Sequence, residues 1–324
     1  MSIHDCFLGI DGGGTHSSAI LVDRSFRVLS KGTGDSLNYY SIGFENARIN
    51  FFDLVLKTTR KIDPNRIKGV FIGMSAIDRE ESDENIRKFI GNLFPKAKVF
   101  MHSDLYVAFM GFTLGMPGIM VVSGTGAMAI AHDKSNYEWV VGGYGYLLGD
   151  CGSAFSIAVD ALKLATGAFD GINPQTILQR SALDYFEVTN HRKIINVIYA
   201  SDNPRKLISG FAPEVTKAAS EGDDFALEIL RRNARHLAQL VLTLMKKEGL
   251  IGLEKVGVCG GVFENDEYIN RFFTEYLKQE YPDVKIQLPN MRPELGAVVA
   301  AMIRCGIHIE LKELKRALEE KHAQ

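Results

Sequence analysis

Hydrophobic and polar residues of this chain alternate in two similar series, and each series opens on a glycine-rich turn between two short apolar segments. In the first series, residues 7–10 precede Gly12-Gly13-Gly14-Thr15, and residues 17–23 follow with the alternation of a half-buried strand. In the second, residues 118–132 place apolar segments around Gly124-Thr125-Gly126 in the same way. The pattern predicts two strand–turn–strand units.

The strand that follows each turn distinguishes between kinds of phosphate-binding loop. Rossmann and P-loop sites need a helix directly after their glycines, and a P-loop also needs a lysine that neither turn contains. A glycine turn between strands is typical of an anion-binding hairpin, in which backbone N–H groups and the hydroxyls of Thr15 and Thr125 converge on phosphate oxygens. The alternative is two ordinary glycine-containing hairpins.

The two series stay similar beyond their turns. Each continues with a third strand, at residues 28–32 and 138–143, and then with a helix, at 44–59 and 153–165. Two such units in 324 residues predict an α/β protein with two similar domains and a nucleotide in the cleft between them. Apolar periodicity predicts further helices at 83–93, 105–114, 223–248, 267–281, 294–304 and 309–322.

Composition narrows the functional classes. The chain is 46% hydrophobic and 23% charged with a net charge of −2, so neither nucleic acid nor an anionic membrane surface is an expected partner. No apolar run approaches about 18 residues and the first residues lack a secretion-signal pattern, so we expect a cytoplasmic protein without a membrane span. The four cysteines are widely spaced without a metal-binding pattern, which favours free thiols.

Asp104 lies where an apolar strand, residues 99–103, meets a predicted helix. At such a junction an aspartate is frequently a helix N-cap and nothing more. Beside the glycine-rich turns, however, a carboxylate at the end of a strand would reach a bound ligand, where it could take the proton of an acceptor hydroxyl. We favour the second interpretation and treat Asp104 as a candidate general base.

Three later segments add weaker signals. Residues 142–153 are rich in glycine around aromatic and acidic side chains, which suits a polyol ligand, although a plain loop before a capped helix has the same composition. Gly260 and Gly261 end a predicted strand where an adenine ring could lie against backbone. Residues 292–297 begin a helix of small residues.

In this order the segments resemble the signatures of the sugar kinase, Hsp70 and actin superfamily, namely two phosphate loops, two connecting helices and an adenosine segment. Two runs, Ser-Gly-Thr-Gly-Ala at 123–127 and Gly-Gly-Tyr-Gly-x-x-x-Gly-Asp-x-Gly-Ser at 142–153, are similar to the N-acetylglucosamine kinase branch of the BadF/BadG/BcrA/BcrD ATPase family. The resemblance implies two RNase H-like domains of the actin-like ATPase type, which close over Mg-ATP and an amino sugar for phosphoryl transfer to a sugar hydroxyl. We expect one domain at 1–115 with about 305–324, another at 116–304, and a homodimer.

The resemblance also implies roles for individual residues. Asp104 corresponds to the catalytic base, and Asp11 to the carboxylate that positions Mg²⁺ through water. ATP binding is implied for Gly12, Gly13, Gly14, Thr15, Gly124, Thr125, Gly126, Gly260 and Gly261. Sugar binding is implied for Asn38, Ser75, Asp104, Gly143, Tyr144, Gly145 and Asp150.

Two positions depart from the family pattern. Tyr144 stands where the family usually has Trp, and Cys151 stands where it usually has Glu. A tyrosine keeps an aromatic face for a sugar, whereas loss of the glutamate removes a charge beside the turn. Glucose, glucosamine, N-acetylglucosamine, N-acetylmannosamine and muramic-type sugars therefore all stay open as substrates.

Two other functions compete with a kinase. The second branch of the family activates acyl-CoA reductases and dehydratases, and carries an iron–sulfur cluster bridged between subunits by cysteines. Cys151 and Cys259 suggest such a cluster, but Cys259 lies in the predicted adenosine strand and neither has a local cluster pattern. A non-catalytic sugar sensor would have a DNA-binding module ahead of its first strand, which we do not expect because the first predicted strand begins by Cys6.

Overall fold

The protein is described by a computed structural model that covers residues 5–77, 81–135, 137–289, 291–307 and 309. These residues form two compact units. Unit 1 runs to Met116 and resumes at Pro289, and unit 2 is Pro117–Leu288.

Unit 1 is built on a five-stranded sheet. Its strands are β1 (Cys6–Gly12), β2 (His16–Asp23), β3 (Val28–Asp35), β4 (Ile67–Met74) and β5 (Lys98–Ser103). The first three form an antiparallel meander, and β4 and β5 lie parallel to β1, which gives the order β3-β2-β1-β4-β5. The predicted strands around the first glycine turn are confirmed.

Helices cover both faces of this sheet. They are α1 (Tyr39–Ile42), α2 (Phe44–Thr59), α3 (Asp83–Ile90), α4 (Asp104–Thr113) and, last among the described helices, α13 (Pro293–Arg304), with a 3-10 turn at Pro64–Arg66. α2 packs over β2 and β3, where Leu8, Ile10 and Phe51 belong to the buried core of that face. α4 and α13 pack together on the opposite face. Successive side chains of a strand point to opposite faces of the sheet, so each strand contributes to both layers.

The helix α13 belongs to unit 1 although unit 2 separates it from the other elements along the chain. It packs on β1, β4 and α4 because glycines let the backbones approach. A Cβ at Gly9 would strike the carbonyl oxygen of Glu294, and one at Gly296 would strike that of Val107. The predicted boundary, which placed residues up to 304 in the second domain, is therefore wrong for this helix. From residue 310 on, the predicted helix at 309–322 lies outside the described residues.

Unit 2 repeats the sheet topology of unit 1. Its strands are β6 (Gly118–Ser123), β7 (Ala127–His132), β8 (Glu138–Gly142), β9 (Lys255–Cys259) and β10 (Lys285–Gln287). They lie in the order β10-β9-β6-β7-β8, with β6 to β8 antiparallel and β9 and β10 parallel to β6. The two sheets thus confirm the predicted duplicated α/β fold.

The helices of unit 2 are more numerous than the sequence predicts. They are α5 (Ala154–Phe169), α6 (Leu178–Tyr185), α7 (Lys193–Tyr199), α8 (Pro204–Ser209), α9 (Ala212–Ser220), α10 (Asp224–Met245), α11 (Gly261–Asn265) and α12 (Glu267–Glu280), with a 3-10 turn at Glu248–Leu250. The predicted helices at 153–165, 223–248 and 267–281 are confirmed within a few residues, but α6 to α9 were not predicted. None of the helices in the described ranges is both long and apolar enough to span a bilayer.

Candidate functional site

Three of the predicted site residues lie at one edge of the unit 1 sheet. The parallel strands β1, β4 and β5 end side by side, since Gly12 pairs with Met74 and Met74 pairs with Ser103. Asp11 is near the end of β1, while Ser75 and Asp104 directly follow β4 and β5. The carboxyl ends of parallel strands are where α/β proteins place their ligands.

A fourth polar side chain reaches this edge from α13. The helix crosses α4 closely, because a Cβ on Gly111 would lie 3.3 Å from the Cα of Gly296. The crossing brings the first turn of α13, with the buried side chain of Glu294, near the end of β1. Arg292 pairs with this carboxylate, at 3.1 Å between Nε and Oε1. Glu294 was not predicted from the sequence.

The resulting acidic cluster, Asp11, Asp104 and Glu294, has unusual electrostatics. The pKa of Asp11 is raised to about 7, first by burial and then by the negative charges of Asp104 and Glu294. Burial also raises the pKa of Asp104, although hydrogen bonds from backbone N–H groups oppose that shift. An acid whose pKa burial and like charge raise to near neutrality, as at Asp11, is typical of functional sites.

Asp104 is not the N-cap of α4. That role belongs to Ser103, whose Oγ accepts the backbone N–H of Tyr106 at 3.2 Å. Asp104 is instead the first helical residue, and its Oδ1 accepts the N–H of Leu105 at 2.7 Å. The capping interpretation considered from the sequence is therefore wrong.

The first glycine loop lies beside two of the predicted sugar-binding residues. The carbonyl of Gly12 accepts the N–H of Ser75 at 3.0 Å, and Nδ2 of Asn38 donates to Oγ of Ser75 at 3.1 Å. Asn38 also caps α1 through its Oδ1. Gly14 and Thr15 are exposed at the tip of the loop. Within unit 1 the structure therefore brings together Asn38, Ser75 and the first loop.

The second glycine loop is held by two backbone hydrogen bonds of Gly124. The N–H of Gly124 donates to the carbonyl of Gly126 at 2.9 Å, and its own carbonyl accepts the N–H of Ala154 at 2.8 Å. Thr125 is exposed at the tip. Gly260, with φ of +96°, lies against the carbonyl of Ser123, so no side chain fits there. The predicted adenosine segment and second phosphate loop are thus in backbone contact.

A cavity of about 810 Å³ opens beside this loop within unit 2. Its lining includes the predicted residues Gly124, Thr125 and Gly261, together with residues of α8, α9 and α12 that the sequence analysis missed. Added Cβ atoms on Gly124 would meet nothing within 4 Å, and on Gly261 only Asn265 at 3.9 Å. Packing does not explain the glycines here, whereas close approach of a ligand to the backbone does.

The side of this cavity formed by α9 and α12, which was not predicted as part of a site, contains an acid whose pKa is raised. Asp266 is the N-cap of α12, and its carboxylate accepts the hydroxyl hydrogen of Thr216 from α9. Burial raises the pKa of Asp266, while that hydrogen bond opposes the shift. A cavity of this size, lined mostly by apolar atoms with a few convergent polar groups, suits a small organic ligand.

The predicted sugar turn, residues 142–153, follows β8 within unit 2. Gly143 and Gly145 have φ of +75° and +80°, so the backbone conformation requires glycine at both positions. Between them the ring of Tyr144 is 76% exposed. The carboxylate of Asp150 is buried and accepts a hydrogen bond from Nη2 of Arg205 at 3.0 Å.

Arg205 was also missed by the sequence analysis. A local signal precedes it, because Asn203 caps α8 through a hydrogen bond to the N–H of Lys206 at 3.0 Å and Pro204 is the first helical residue. An Asn-Pro pair is a known start signal for a helix. That signal locates the helix but says nothing of its position beside the sugar turn.

None of the four cysteines, all of which lie in the described ranges, forms a disulfide, as the sequence predicts. Burial raises the pKa of Cys6 and Cys305 above the usual thiol range. Cys151 is exposed in the sugar turn, and Cys259 contacts the sulfur of Met120 at 3.9 Å. Across the described ranges, no group of three or more His, Cys, Asp or Glu side chains is arranged to hold a metal ion.

The duplicated sheet and its glycine loops place the protein in the two-domain fold of sugar kinases and actin-like ATPases. A solved structure from Chromobacterium violaceum, assigned as an N-acetylglucosamine kinase, has a TM-score of 0.69 at 21% identity and covers 91% of this chain and 98% of its own. A ROK family glucokinase from Streptomyces griseus, solved with glucose and AMPPNP, has a TM-score of 0.53 at 16% identity, covering 92% and 98%. At these identities the likeness concerns the fold alone.

The chain belongs to the BadF/BadG/BcrA/BcrD ATPase family, whose model matches residues 8–302. An N-acetylmuramic acid/N-acetylglucosamine kinase from Clostridium acetobutylicum is 29% identical over 301 residues, which cover 92% of this chain and 98% of the relative. An N-acetyl-D-glucosamine kinase from Dictyostelium discoideum is 27% identical over 312 residues, with the same coverage. A glucosamine kinase from Vibrio cholerae is 26% identical over 302 residues, covering 93% and 95%.

Proposed function

We propose that this protein is an ATP-dependent kinase that phosphorylates a hydroxyl of N-acetylglucosamine or a related amino sugar. The observation that carries the proposal is Asp104, a carboxylate with a raised pKa that caps no helix and lies at the ligand-binding edge of unit 1. A general base is most effective when its pKa lies near the working pH. The family and the amino-sugar kinases among the relatives support the assignment.

The nucleotide is assigned to unit 2. Its base and ribose suit the cavity of about 810 Å³ beside Gly261, and its phosphates suit the second glycine loop, where Thr125 is exposed at the tip. The first loop, Gly12 to Thr15, supplies further phosphate donors. This arrangement uses the predicted glycines of the two loops and Gly261, whereas Gly260 is explained by its contact with the carbonyl of Ser123.

Asp104 is assigned the proton transfer. Its Oδ1 accepts a backbone hydrogen bond, so Oδ2 is the oxygen assigned to the acceptor hydroxyl. As the hydroxyl oxygen forms its bond to the γ-phosphorus, its proton passes to the carboxylate and the bond to the β-phosphate oxygen breaks, which releases ADP. Positioning and charge stabilisation supply the rest of the catalysis in phosphoryl transfer.

Mg²⁺ fits one predicted residue, Asp11. The ion ordinarily keeps several waters and takes one or two carboxylates together with phosphate oxygens, so an enclosing cage of side chains is not required. Burial and two negative charges, those of Asp104 and Glu294, raise the pKa of Asp11 to about 7. A cation bound nearby would offset these charges and stabilise the ionised carboxylate. Asp11 would hold Mg²⁺ through water, and the bound ion would neutralise developing charge on the phosphates.

The sugar is assigned to Asn38, Ser75 and Asp104 of unit 1 and to Gly143, Tyr144, Gly145 and Asp150 of unit 2. The open ring of Tyr144 offers a face for the apolar side of a pyranose. The relatives act on N-acetylglucosamine, N-acetylmuramic acid and glucosamine, so these three sugars are the first to test.

The test is turnover of Mg-ATP by the purified protein with each of these sugars and with glucose. We expect ADP release to rise strongly with an amino sugar and to match the sugar phosphate formed, measured by mass spectrometry. The proposal fails if no sugar gives a sugar phosphate and ATP is hydrolysed at one rate with or without them. Stoichiometric iron in such a preparation would support the activator function instead.

A further inference from the structure

Arg205 joins two segments that the proposed reaction uses. One guanidinium nitrogen, Nη2, donates to Oδ2 of Asp150 at 3.0 Å and to the carbonyl of Thr125 at 3.4 Å. The guanidinium carbon lies 5.2 Å from the centroid of the Tyr146 ring. One side chain therefore contacts the second phosphate loop and two positions of the sugar turn.

Asp150 depends on this contact for its orientation. Its side chain is 5% exposed, and its φ of +59° is a left-handed conformation that residues other than glycine seldom adopt. A buried carboxylate needs a partner charge, because removal of one member of such a pair leaves the other uncompensated. Arg205 provides that charge and holds a predicted sugar ligand in place.

Gly126 supports the same conclusion from the phosphate loop. A Cβ added there would lie 2.9 Å from Oδ2 of Asp150 and 3.0 Å from Nη2 of Arg205. Gly126 is not among the residues with positive φ, so its backbone conformation permits alanine. An alanine at this position would press on the Asp150–Arg205 ion pair, which lies directly on the loop.

Arg205 also belongs to a helix beside the nucleotide cavity. It is on α8, and the next residue, Lys206, lines the cavity of about 810 Å³ together with Ser209 of the same helix. A nucleotide in that cavity would contact the helix that carries Arg205. Any shift or ordering of α8 would then be transmitted to Asp150 through the ion pair.

We propose that Arg205 is a positioning residue that couples nucleotide binding in the unit 2 cavity to sugar recognition by Asp150, an inference that rests on the proposed kinase function. The ion pair fixes the position of the Asp150 carboxylate relative to the second phosphate loop. A nucleotide bound beside α8 holds that position more firmly. Nucleotide should therefore raise sugar affinity, and the sugar should raise nucleotide affinity by the same factor.

The experiment measures the Kd of N-acetylglucosamine by calorimetry with and without AMPPNP and Mg²⁺. In the wild type we expect the nucleotide to tighten sugar binding by a factor within the roughly 5- to 150-fold range of allosteric coupling. In Arg205→Ala the factor should fall to about one, with an increase in sugar KM larger than the change in ATP KM. Arg205→Lys should restore part of the coupling, because it keeps the charge without the planar donor geometry.

Arg192→Ala is the matched control. Arg192 forms an ion pair of the same length with Asp170, 3.0 Å between Nη2 and Oδ1, in the same helical part of unit 2 but away from the sugar turn. This variant should keep the wild-type coupling factor. Equal coupling in Arg205→Ala, Arg192→Ala and wild type would overturn the proposal while leaving the kinase function intact.

Gly126→Ala tests the same contact without changing a charge. The added methyl group should displace the ion pair and reduce the coupling, and its effect should shrink in the Arg205→Ala background, where the pair is already lost. Independent, additive effects of Gly126→Ala and Arg205→Ala would contradict the inference. If Arg205→Ala does not fold, the coupling factor of Gly126→Ala alone decides whether the contact carries the coupling. If the wild type neither binds nor phosphorylates any of the sugars, the kinase function fails and this inference fails with it.

Discussion

Helices α3 and α4 both start with a serine N-cap followed by an aspartate. A comparison of the two shows how an ordinary surface acid differs from a candidate general base. Ser82 caps α3 and Asp83 follows it, just as Ser103 caps α4 and Asp104 follows. In both helices the serine Oγ accepts an N–H three residues on, at 3.3 Å in α3 and 3.2 Å in α4. Yet Asp83 is exposed, whereas burial raises the pKa of Asp104.

The bodies of the two helices cause the difference. α3 is amphipathic, with Arg87 and Lys88 exposed and Ile86 buried, so its first residue stays at the surface. α4 has buried residues on all sides and is crossed by α13. Of these two acids, the one whose pKa is raised by burial begins the helix that is apolar all round, and the exposed one begins the amphipathic helix. The role of such an acid is therefore decided by the next ten or so residues rather than by the capping pair.

The largest expected effect is on turnover. We expect Asp104→Asn to lower kcat by about 10²–10⁴-fold, because an amide keeps the shape of the side chain but cannot accept the proton. Asp83→Asn, at the same helical position of α3, should leave kcat unchanged. Initial rates of sugar phosphate formation at saturating ATP and sugar measure both.

The affinity of the sugar separates chemistry from binding in that pair of variants. Asp104→Asn should retain sugar affinity within about an order of magnitude, since one hydrogen bond contributes little more than about 1.4 kcal/mol, or tenfold. Equal kcat in Asp104→Asn and wild type would remove Asp104 from the mechanism and make the two helices functionally alike.

A second prediction concerns the crossing that buries α4. In Gly296→Ala the added Cβ would strike the carbonyl of Val107 and lie 2.8 Å from the N–H nitrogen of Gly111. We expect a loss of about 1–3 kcal/mol in the free energy of unfolding, as for other overpacked sites. Urea unfolding measures it, and kcat should fall as well because α4 is displaced. A fully stable and active Gly296→Ala variant would show that α4 is not held by this crossing.

The third prediction is the pH dependence of stability due to Asp11. Its folded-state pKa of about 7 exceeds the ordinary 3.8, so its neutral form favours the folded state. The stabilisation is present below about pH 4 and is lost as pH rises through about 7. Asp11→Asn removes this loss, so its Tm should exceed that of the wild type at pH 8 but not at pH 4.

Thermal melts of the nucleotide-free proteins at pH 4 and pH 8 measure the difference in Tm between Asp11→Asn and wild type, which is called the gap below. For a chain of this size each 1 kcal/mol corresponds to about 2–4 °C. Mg²⁺ with AMPPNP should narrow the gap at pH 8, because a nearby cation favours the charged carboxylate. The electrostatic description of the acidic cluster is wrong if Asp11→Asn gives the same Tm difference at both pH values.

The elements that the sequence predicts are those whose pattern is local. The strands flanking Gly12 to Thr15 and Gly124 to Gly126 follow from period-two alternation, and the helix at 44–59 follows from apolar periodicity. The four helices α6 to α9 were missed because each is short. The burial of α6, α8 and α9 is set by packing on α5 or α10, and α7 packs on α8, rather than by a long apolar stripe of their own.

The site divides in the same way. Asp11 lies near the end of a recognisable strand, and Asn38, Ser75 and Asp104 each follow a recognisable strand or turn, so motif and resemblance predict all four as site residues. Glu294 and Arg205 come to the site across the fold, Glu294 through the effect of its charge on Asp11 and Arg205 through its ion pair with Asp150, and no spacing along the chain encodes those interactions. The domain assignment of α13 failed for the same reason, since its partners β1 and α4 are distant in sequence.

The smallest expected effect compares the two capping serines. Ser82→Ala and Ser103→Ala should each lower the free energy of unfolding by about 0.5–2 kcal/mol, because each removes the hydrogen bond of an N-cap. Only Ser103→Ala should also alter kinetics, by a few-fold in kcat, since loosening the first turn of α4 moves Asp104 whereas loosening α3 moves a solvent-exposed acid. Urea unfolding and steady-state rates of the two variants measure this. Equal kinetic effects in the two would mean that the position of Asp104 does not depend on the cap, and that burial alone separates the two helices.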